Sequence, residues 1–311
     1  MNYNLTEITF PSADGKNTIY AEIYTPKNAT AKGIVQLAHG MTDYTARYAA
    51  LADYLTARGY VFAGNHHLGH GKSVANEEDF GYFAENGGLD LVVEDLYLMN
   101  KTLREMFPAL PIVMMGHSMG SFLARLYTNK HPHTIHGLII HGTGGTNPLV
   151  GMGIFVANMV KKFYGGHHHS GLIQSLAFGN YNARFPKEEG SGAWLTRDIA
   201  SVAGRPDDKF TSFTFTTAGY IDLFTALRDS NSKAWYEGYP KDMPTLIVSG
   251  DMDPVGDYGK GPGEVYKKLL VSGCSNIELK LYQGARHELF NEINKDEVFA
   301  DLVAWIGEVI K

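Results

Sequence analysis

Short apolar runs and longer amphipathic stretches alternate along most of the chain. Residues 7–10 and 19–24 flank the polar turn Ser12-Ala13-Asp14-Gly15, which predicts an opening β-hairpin whose second strand ends at Pro26. Apolar runs of strand length follow at 33–38, 60–63, 111–115, 137–140 and 245–248, and 277–282 reads as the last strand. Between and after them, 47–58, 89–107, 121–130, 264–270 and 298–310 carry apolar residues at helical spacing, for example Tyr48, Leu51, Tyr54 and Leu55. Runs that are apolar throughout, rather than alternating, belong to strands buried on both faces. Strand–helix alternation therefore predicts an α/β domain with a mostly parallel sheet and helices on both sides.

The rhythm breaks at Asn147. From there to about Thr217 no strand alternates with a helix, and this stretch reads as an inserted, mainly helical cap. The predicted domains are a core made of 1–146 and 218–311, and a cap made of 147–217. The first cap segment, 149–164, carries Val150, Ile154, Phe155, Met159, Val160 and Phe163 at helical spacing, and no charge falls between Asn147 and Val160. That stripe is expected to pack on the core and line an acyl pocket, with Phe155 and Met159 touching substrate. Lys161 and Lys162 beside it offer a second use, transient contact with an anionic membrane surface. Residues 220–236 read as one further helix.

The chemistry is concentrated where apolar runs end. Gly116-His117-Ser118-Met119-Gly120 lies between the run at 111–115 and the helical pattern at 121–130. Strand, sharp turn and helix with a serine at the turn make a nucleophile elbow, in which the hydroxyl projects clear of the sheet. A serine hydroxyl needs a base within reach, an acid to orient that base, and donors for the oxyanion. In open parallel sheets these groups gather beyond the carboxyl ends of the strands. His287, after the last run, is the candidate base. Asp253, in Gly250-Asp251-Met252-Asp253-Pro254, is the candidate acid, with Asp251 as rival and Asp257 more distant. The order serine, acid, histidine is that of one known triad arrangement. The backbone N–H groups of Met119 and Met41 are the candidate oxyanion donors. His39 reads as a buried structural histidine, since the oxyanion site needs no ring there.

Taken together, His39-Gly40-Met41 with Arg47-Tyr48, Gly69-His70-Gly71-Lys72-Ser73, Gly116 to Gly120, Asp253-Pro254 and Arg286-His287-Glu288 resemble the monoglyceride lipase/lysophospholipase branch of the α/β-hydrolases, also grouped as serine-aminopeptidase-like. The matching stretches span nearly the whole core; the cap is matched only loosely. Where the branch often has Glu-His after the oxyanion motif, this chain has Asp43-Tyr44; where it often has an acidic residue, this chain has His66. The resemblance implies an α/β-hydrolase fold and a serine ester hydrolase acting on lipid-like esters, with the cap over the site. Haloalkane and epoxide chemistry is disfavoured, because those relatives carry aspartate at the elbow. The alternatives are a peptidase, which needs an acidic cluster for the substrate ammonium, and a ligand-binding protein on the same fold.

Composition adds exclusions. Among 311 residues the net charge is -6 and no long Lys/Arg run occurs, which argues against nucleic-acid binding. The single cysteine, Cys274, has no intrachain partner. Neither a signal-peptide pattern at residues 1–10 nor an apolar run of membrane-spanning length is present, so a cytoplasmic protein is expected. His167-His168-His169 could suggest a metal. Adjacent histidines cannot all face one ion on a regular element, and a solvated cap loop is expected there, as loop roles are for His66, His67 and His70. No metal or organic cofactor is expected.

Overall fold

Strands β3 (Gly33–Ala38), β4 (Tyr60–Asn65), β5 (Ile112–His117), β6 (Gly137–His141) and β7 (Thr245–Gly250) are buried at every position in the computed structural model, which describes all 311 residues. Their runs are mostly apolar because both faces are covered, and a buried polar residue such as Gln36 is hydrogen-bonded, here to the Leu96 carbonyl at 2.9 Å. Ile34, Met114, Leu138, Ile140 and Ile247 point into one layer, and Val35, Val113, Met115, Ile139 and Val248 into the other. The opening hairpin, β1 (Tyr3–Pro11) and β2 (Thr18–Pro26), adds two antiparallel strands, and β8 (Ile277–Tyr282) closes the far edge. The eight-stranded sheet runs β1-β2-β4-β3-β5-β6-β7-β8, parallel from β4 onwards.

The helices are α1 (Ala49–Thr56), α2 (Gly88–Met106), α3 (Met119–Lys130), α4 (Val150–Tyr164), α5 (Gly171–Phe178), α6 (Ile199–Val202), α7 (Thr217–Ser230), α8 (Lys233–Gly238), α9 (Lys260–Val271) and α10 (Lys295–Val309). Leu51 and Leu55 of α1 join Leu302 and Ile306 of α10 in one layer, while α2, α3 and α9 contribute to the other. No helix is long and apolar enough to cross a membrane.

Two expectations change in detail. The helix predicted over 220–236 is two helices, broken at Asn231-Ser232, where the Ser232 hydroxyl accepts from Trp235 N–H and caps α8. The second concerns α4. That helix is mostly apolar, and its two sides do different things. Val150, Gly153, Ile154, Ala157 and Val160 turn inward, with Gly153 against the Phe224 ring of α7. Leu149, Met152, Phe155, Met159 and Phe163 turn outward and are exposed, as are Leu172 and Leu176 of α5. The expected single inward stripe mixed residues from both sides.

No strand occurs between β6 and β7. The stretch expected to be the cap holds α4, α5, α6 and their loops and ends where α7 begins. Its second half is tied to the core by hydrogen bonds. His287 N–H and Glu288 N–H donate to the carbonyls of Trp194 and Leu195 at 3.4 and 2.6 Å. Arg197 Nε meets Glu292 Oε2 at 2.8 Å, and Arg286 Nη1 meets Glu189 Oε2 at 2.5 Å.

Candidate active site

Ser118 closes β5 and opens α3 with φ 54° and ψ -122°, a backbone region that a residue with a Cβ rarely adopts. The flanking glycines permit this turn by contact distance. A Cβ on Gly120 would lie 2.0 Å from the Ala38 carbonyl oxygen, and one on Gly116 would lie 2.3 Å from that of Gly120. Elbow, β3 and the start of α3 are therefore pressed together, and the loop after β3 lies against the serine. A Cβ on Gly40 would be 3.2 Å from Ser118 Cβ. Ser118 N–H donates to the His141 carbonyl at 3.0 Å, fixing the elbow to the end of β6.

His287 is buried, 2% exposed, in the loop after β8. Its Nδ1 lies 2.9 Å from Asp253 Oδ2, and Asp253 is fully buried. A carboxylate only accepts, so Nδ1 carries the proton and Nε2 is left as the basic nitrogen. The ring sits against His117, with centroids 4.9 Å apart, and against Trp194 of the expected cap at 5.0 Å. Asp253 is itself held by Val255 N–H at 2.8 Å and Ser249 Oγ at 3.3 Å. The rival Asp251 is occupied elsewhere, accepting from Gly284 N–H at 2.7 Å. Asp257 is exposed and pairs with Lys260 at 3.0 Å.

Met119 is buried at the first position of α3, and Met41 is half-buried in the loop facing the elbow. The expected substrate contacts Phe155 and Met159 lie on the outward side of α4, 61% and 39% exposed. A contact made there is made at the protein surface.

His39 is fully buried, its Nδ1 2.9 Å from the Gly40 carbonyl and its Nε2 accepting from His67 N–H at 3.1 Å. His66, His67 and His70 pack around it, ring centroids 3.9 to 6.3 Å away, and burial pushes all four well below the usual histidine range, His66 to about 3 and His70 to about 4. They form a neutral cluster at the start of the loop after β3. The histidines of the expected cap diverge: His167 stacks on Tyr82 and reaches Asp79 at 3.2 Å, while His168 stacks on Tyr164.

One cluster went unread in the sequence. Asp43 Oδ1 meets Arg47 Nη1 at 2.7 Å, and Asp43 Oδ2 accepts from Tyr48 Oη at 2.6 Å. Tyr48 Oη lies 2.9 Å from Nδ1 of His117. Glu288 accepts from Arg47 Nη2 at 3.0 Å and from Arg205 Nη1 at 3.0 Å. Burial alone would raise Asp43 and Glu288; the Arg47 guanidinium outweighs it, holding Asp43 well below the usual carboxylate range and, with Arg205, Glu288 at about 2. The spacing of Asp43 and Arg47, four residues apart, was the available signal.

A parallel-rich sheet, a strained serine between β5 and α3, and a buried carboxylate–imidazole pair beyond β7 and β8 define an α/β-hydrolase of the serine type. Residues 29–294 match the family described as serine aminopeptidase, S33, and the chain belongs to that family. It is 25% identical to a monoacylglycerol lipase of Mycolicibacterium smegmatis, over 97% of this chain and 96% of that one. It is 23% identical to the monoglyceride lipase of Homo sapiens, over 96% and 89%. Among solved structures, a highly thermostable carboxyl esterase from Bacillus coagulans superposes with a TM-score of 0.92 at 30% identity, covering 99% of both chains.

Proposed function

We propose that this serine hydrolase cleaves carboxylic esters of lipid-like substrates, monoacylglycerols or lysophospholipids, through an acyl-enzyme. The observation carrying the reading is the buried Asp253–His287 pair in a fold that also holds a serine at positive φ between β5 and α3. Ser118 Oγ attacks the ester carbonyl while His287 Nε2 takes its proton. Asp253 keeps the imidazole in the tautomer this requires. The N–H groups of Met41 and Met119 receive the oxyanion. His287 then returns the proton to the departing alkoxide, and water, activated by the same nitrogen, releases the acid. The lipid-like substrate class rests on the likeness to monoglyceride lipases. We read the enzyme as cytoplasmic.

The test is a kcat/KM series from acetate to palmitate, with substrates kept below micelle formation. A buried methylene contributes about 0.8 kcal/mol. If that binding persists in the transition state, kcat/KM rises up to about fourfold per methylene until the acyl site is full. A maximum at acetate would exclude the lipid-ester reading and favour a small-ester esterase.

The outward side of α4 supports a lipid surface as the place where substrate is met. Leu149, Met152, Phe155 and Phe163 form one exposed apolar row, continued by Leu172 and Leu176. Lys161 is engaged by Glu85 and Asn86, which leaves Lys162 as the exposed cation beside the row. The effect of Phe155→Ser is therefore expected at an interface rather than on monomeric esters. In flotation with phosphatidylcholine–phosphatidylglycerol vesicles, wild type co-floats and Phe155→Ser loses most of that binding. Acetyl ester turnover stays within about twofold, because Phe155 lies outside the reacting groups. Equal recovery of both proteins, or none of either, would remove the docking role.

A further inference from the structure

The neighbours of three proposed reacting groups belong to a single polar network, closed by an arginine from the cap. His117 precedes Ser118, Thr42 follows Met41, and Glu288 follows His287. From His117 Nδ1 the chain of contacts runs through Tyr48 Oη to Asp43, then through Arg47 to Glu288. Arg205, on the far side of the cap sequence, completes it. Its Nη1 donates to Glu288 Oε1 at 3.0 Å, while Nη2 donates to both the carbonyl and the hydroxyl of Thr42 at 3.2 Å. Thr42 has φ 48°, so its carbonyl points where an ordinary extended residue would not send it. Two carboxylates and two guanidinium groups balance, and Asp43 and Glu288 are buried. Asn291 Nδ2 also donates to Glu288, at 2.6 Å.

A guanidinium is planar, with donors fixed in a fork, and one group can hold two loops at a set separation. Arg205 does this across the gap between the oxyanion loop and the base loop. We propose that Arg205 is a positioning residue: with the cap seated, it sets the loop bearing Met41 against the loop bearing His287 and completes the site. The inference rests on the serine ester hydrolase reading. It ties catalytic competence to the seating of residues 189–205, the part of the cap hydrogen-bonded to the base loop, and separates that part from the apolar α4–α5 surface.

Charge gives a signature that loosened packing does not. The groups facing His287 are Asp253 from the loop after β7, His117 at the end of β5, His141 at the end of β6, and Glu288 on its own loop, with Arg47, Asp43 and Arg205 behind it; Tyr181 of the cap lies near Asp253. Burial holds His117 and His141 below the usual histidine range, which favours their neutral forms. Removing the Arg205 cation leaves a negative charge beside His287 and favours imidazolium. Removing the Glu288 charge does the reverse.

The experiment measures kcat, KM and the pH profile of kcat/KM with p-nitrophenyl acetate, beside thermal melts. For Arg205→Ala, kcat falls about tenfold with KM within about twofold, and the acid limb moves up by about half a pH unit. For Glu288→Gln the limb moves down by a similar amount. Arg205→Lys keeps the charge and not the fork, so its limb stays in place while kcat still falls severalfold; this variant decides the matter if Arg205→Ala does not fold. Tyr44→Phe, which removes only the Tyr44–Asp208 link between core and cap, leaves both readouts unchanged. Wild-type kcat and profile in the arginine variants, limb shifts of the same sign, or the Arg205→Ala behaviour reproduced by Tyr44→Phe would overturn the proposal. Absence of ester turnover in wild type would instead sink the hydrolase reading, and the two failures are distinct.

Discussion

Ser118→Ala is expected to remove ester turnover while leaving the fold intact. The proposed nucleophile contributes the attacking oxygen, and nothing nearby replaces it: Ser121 Oγ is bonded to the Ser118 carbonyl at 2.6 Å. Loss of a triad nucleophile costs several powers of ten in kcat, about 10⁶-fold in the best-measured hydrolase. Stability should not fall. Alanine meets the same strain at φ 54° as serine does, and no side-chain bond of Ser118 helps to hold the elbow. The His287–Asp253 pair does not depend on the hydroxyl. The measurement pairs a kcat determination with a thermal melt, and with labelling by a fluorophosphonate that marks wild type only. Retention of even a tenth of wild-type activity on every ester tested would contradict the assignment.

The second large effect separates two aspartates. Asp253→Asn is expected to lower kcat by about 10⁴. The amide can turn its NH₂ toward Nδ1, which favours the tautomer with the proton on Nε2 and removes the basic lone pair that the proposed reaction needs there. Burial sharpens the effect, because no water can replace the lost acceptor at a fully buried carboxylate. Asp251→Asn is expected to cost less than about tenfold. Its oxygen accepts a backbone N–H from Gly284, a bond an amide oxygen can still make. The reverse ranking of these two variants would transfer the acid role to Asp251.

The identity of the acid shows how far linear reading extends. Asp251 and Asp253 both follow β7, and a spacing argument alone favours the second without excluding the first. What separates them is where the loop goes next. Tyr258 N–H returns to the Asp253 carbonyl at 2.8 Å and Val255 N–H to its carboxylate, so the turn folds around Asp253 and aims it at the β8 loop. The α4 helix was harder. A helix with large apolar residues on more than one side offers little periodic contrast between inside and outside, so the pattern predicted an element without saying which face is covered. The place of Arg205 in the buried network is hidden for another reason. Arg205 and Glu288 are 83 positions apart, and charged residues in a polar loop look the same whether they are solvated or paired.

The amino-acid sequence by itself determined the strands and core helices, the sharp strand-to-helix turn at Ser118, and the order in which Ser118, Asp253 and His287 follow strand ends. Those features rest on local steric rules and on burial periodicity, which act over a few residues and are written in consecutive positions. Only the tertiary structure decided that Asp253 rather than Asp251 meets His287, that Phe155 and Met159 face outward, that Trp194 lies on the base, and that Arg205 bridges Thr42 and Glu288. Each of these depends on distances between segments far apart in the chain. Such distances are set by how the sheet twists and the layers pack, and no short window of sequence contains them.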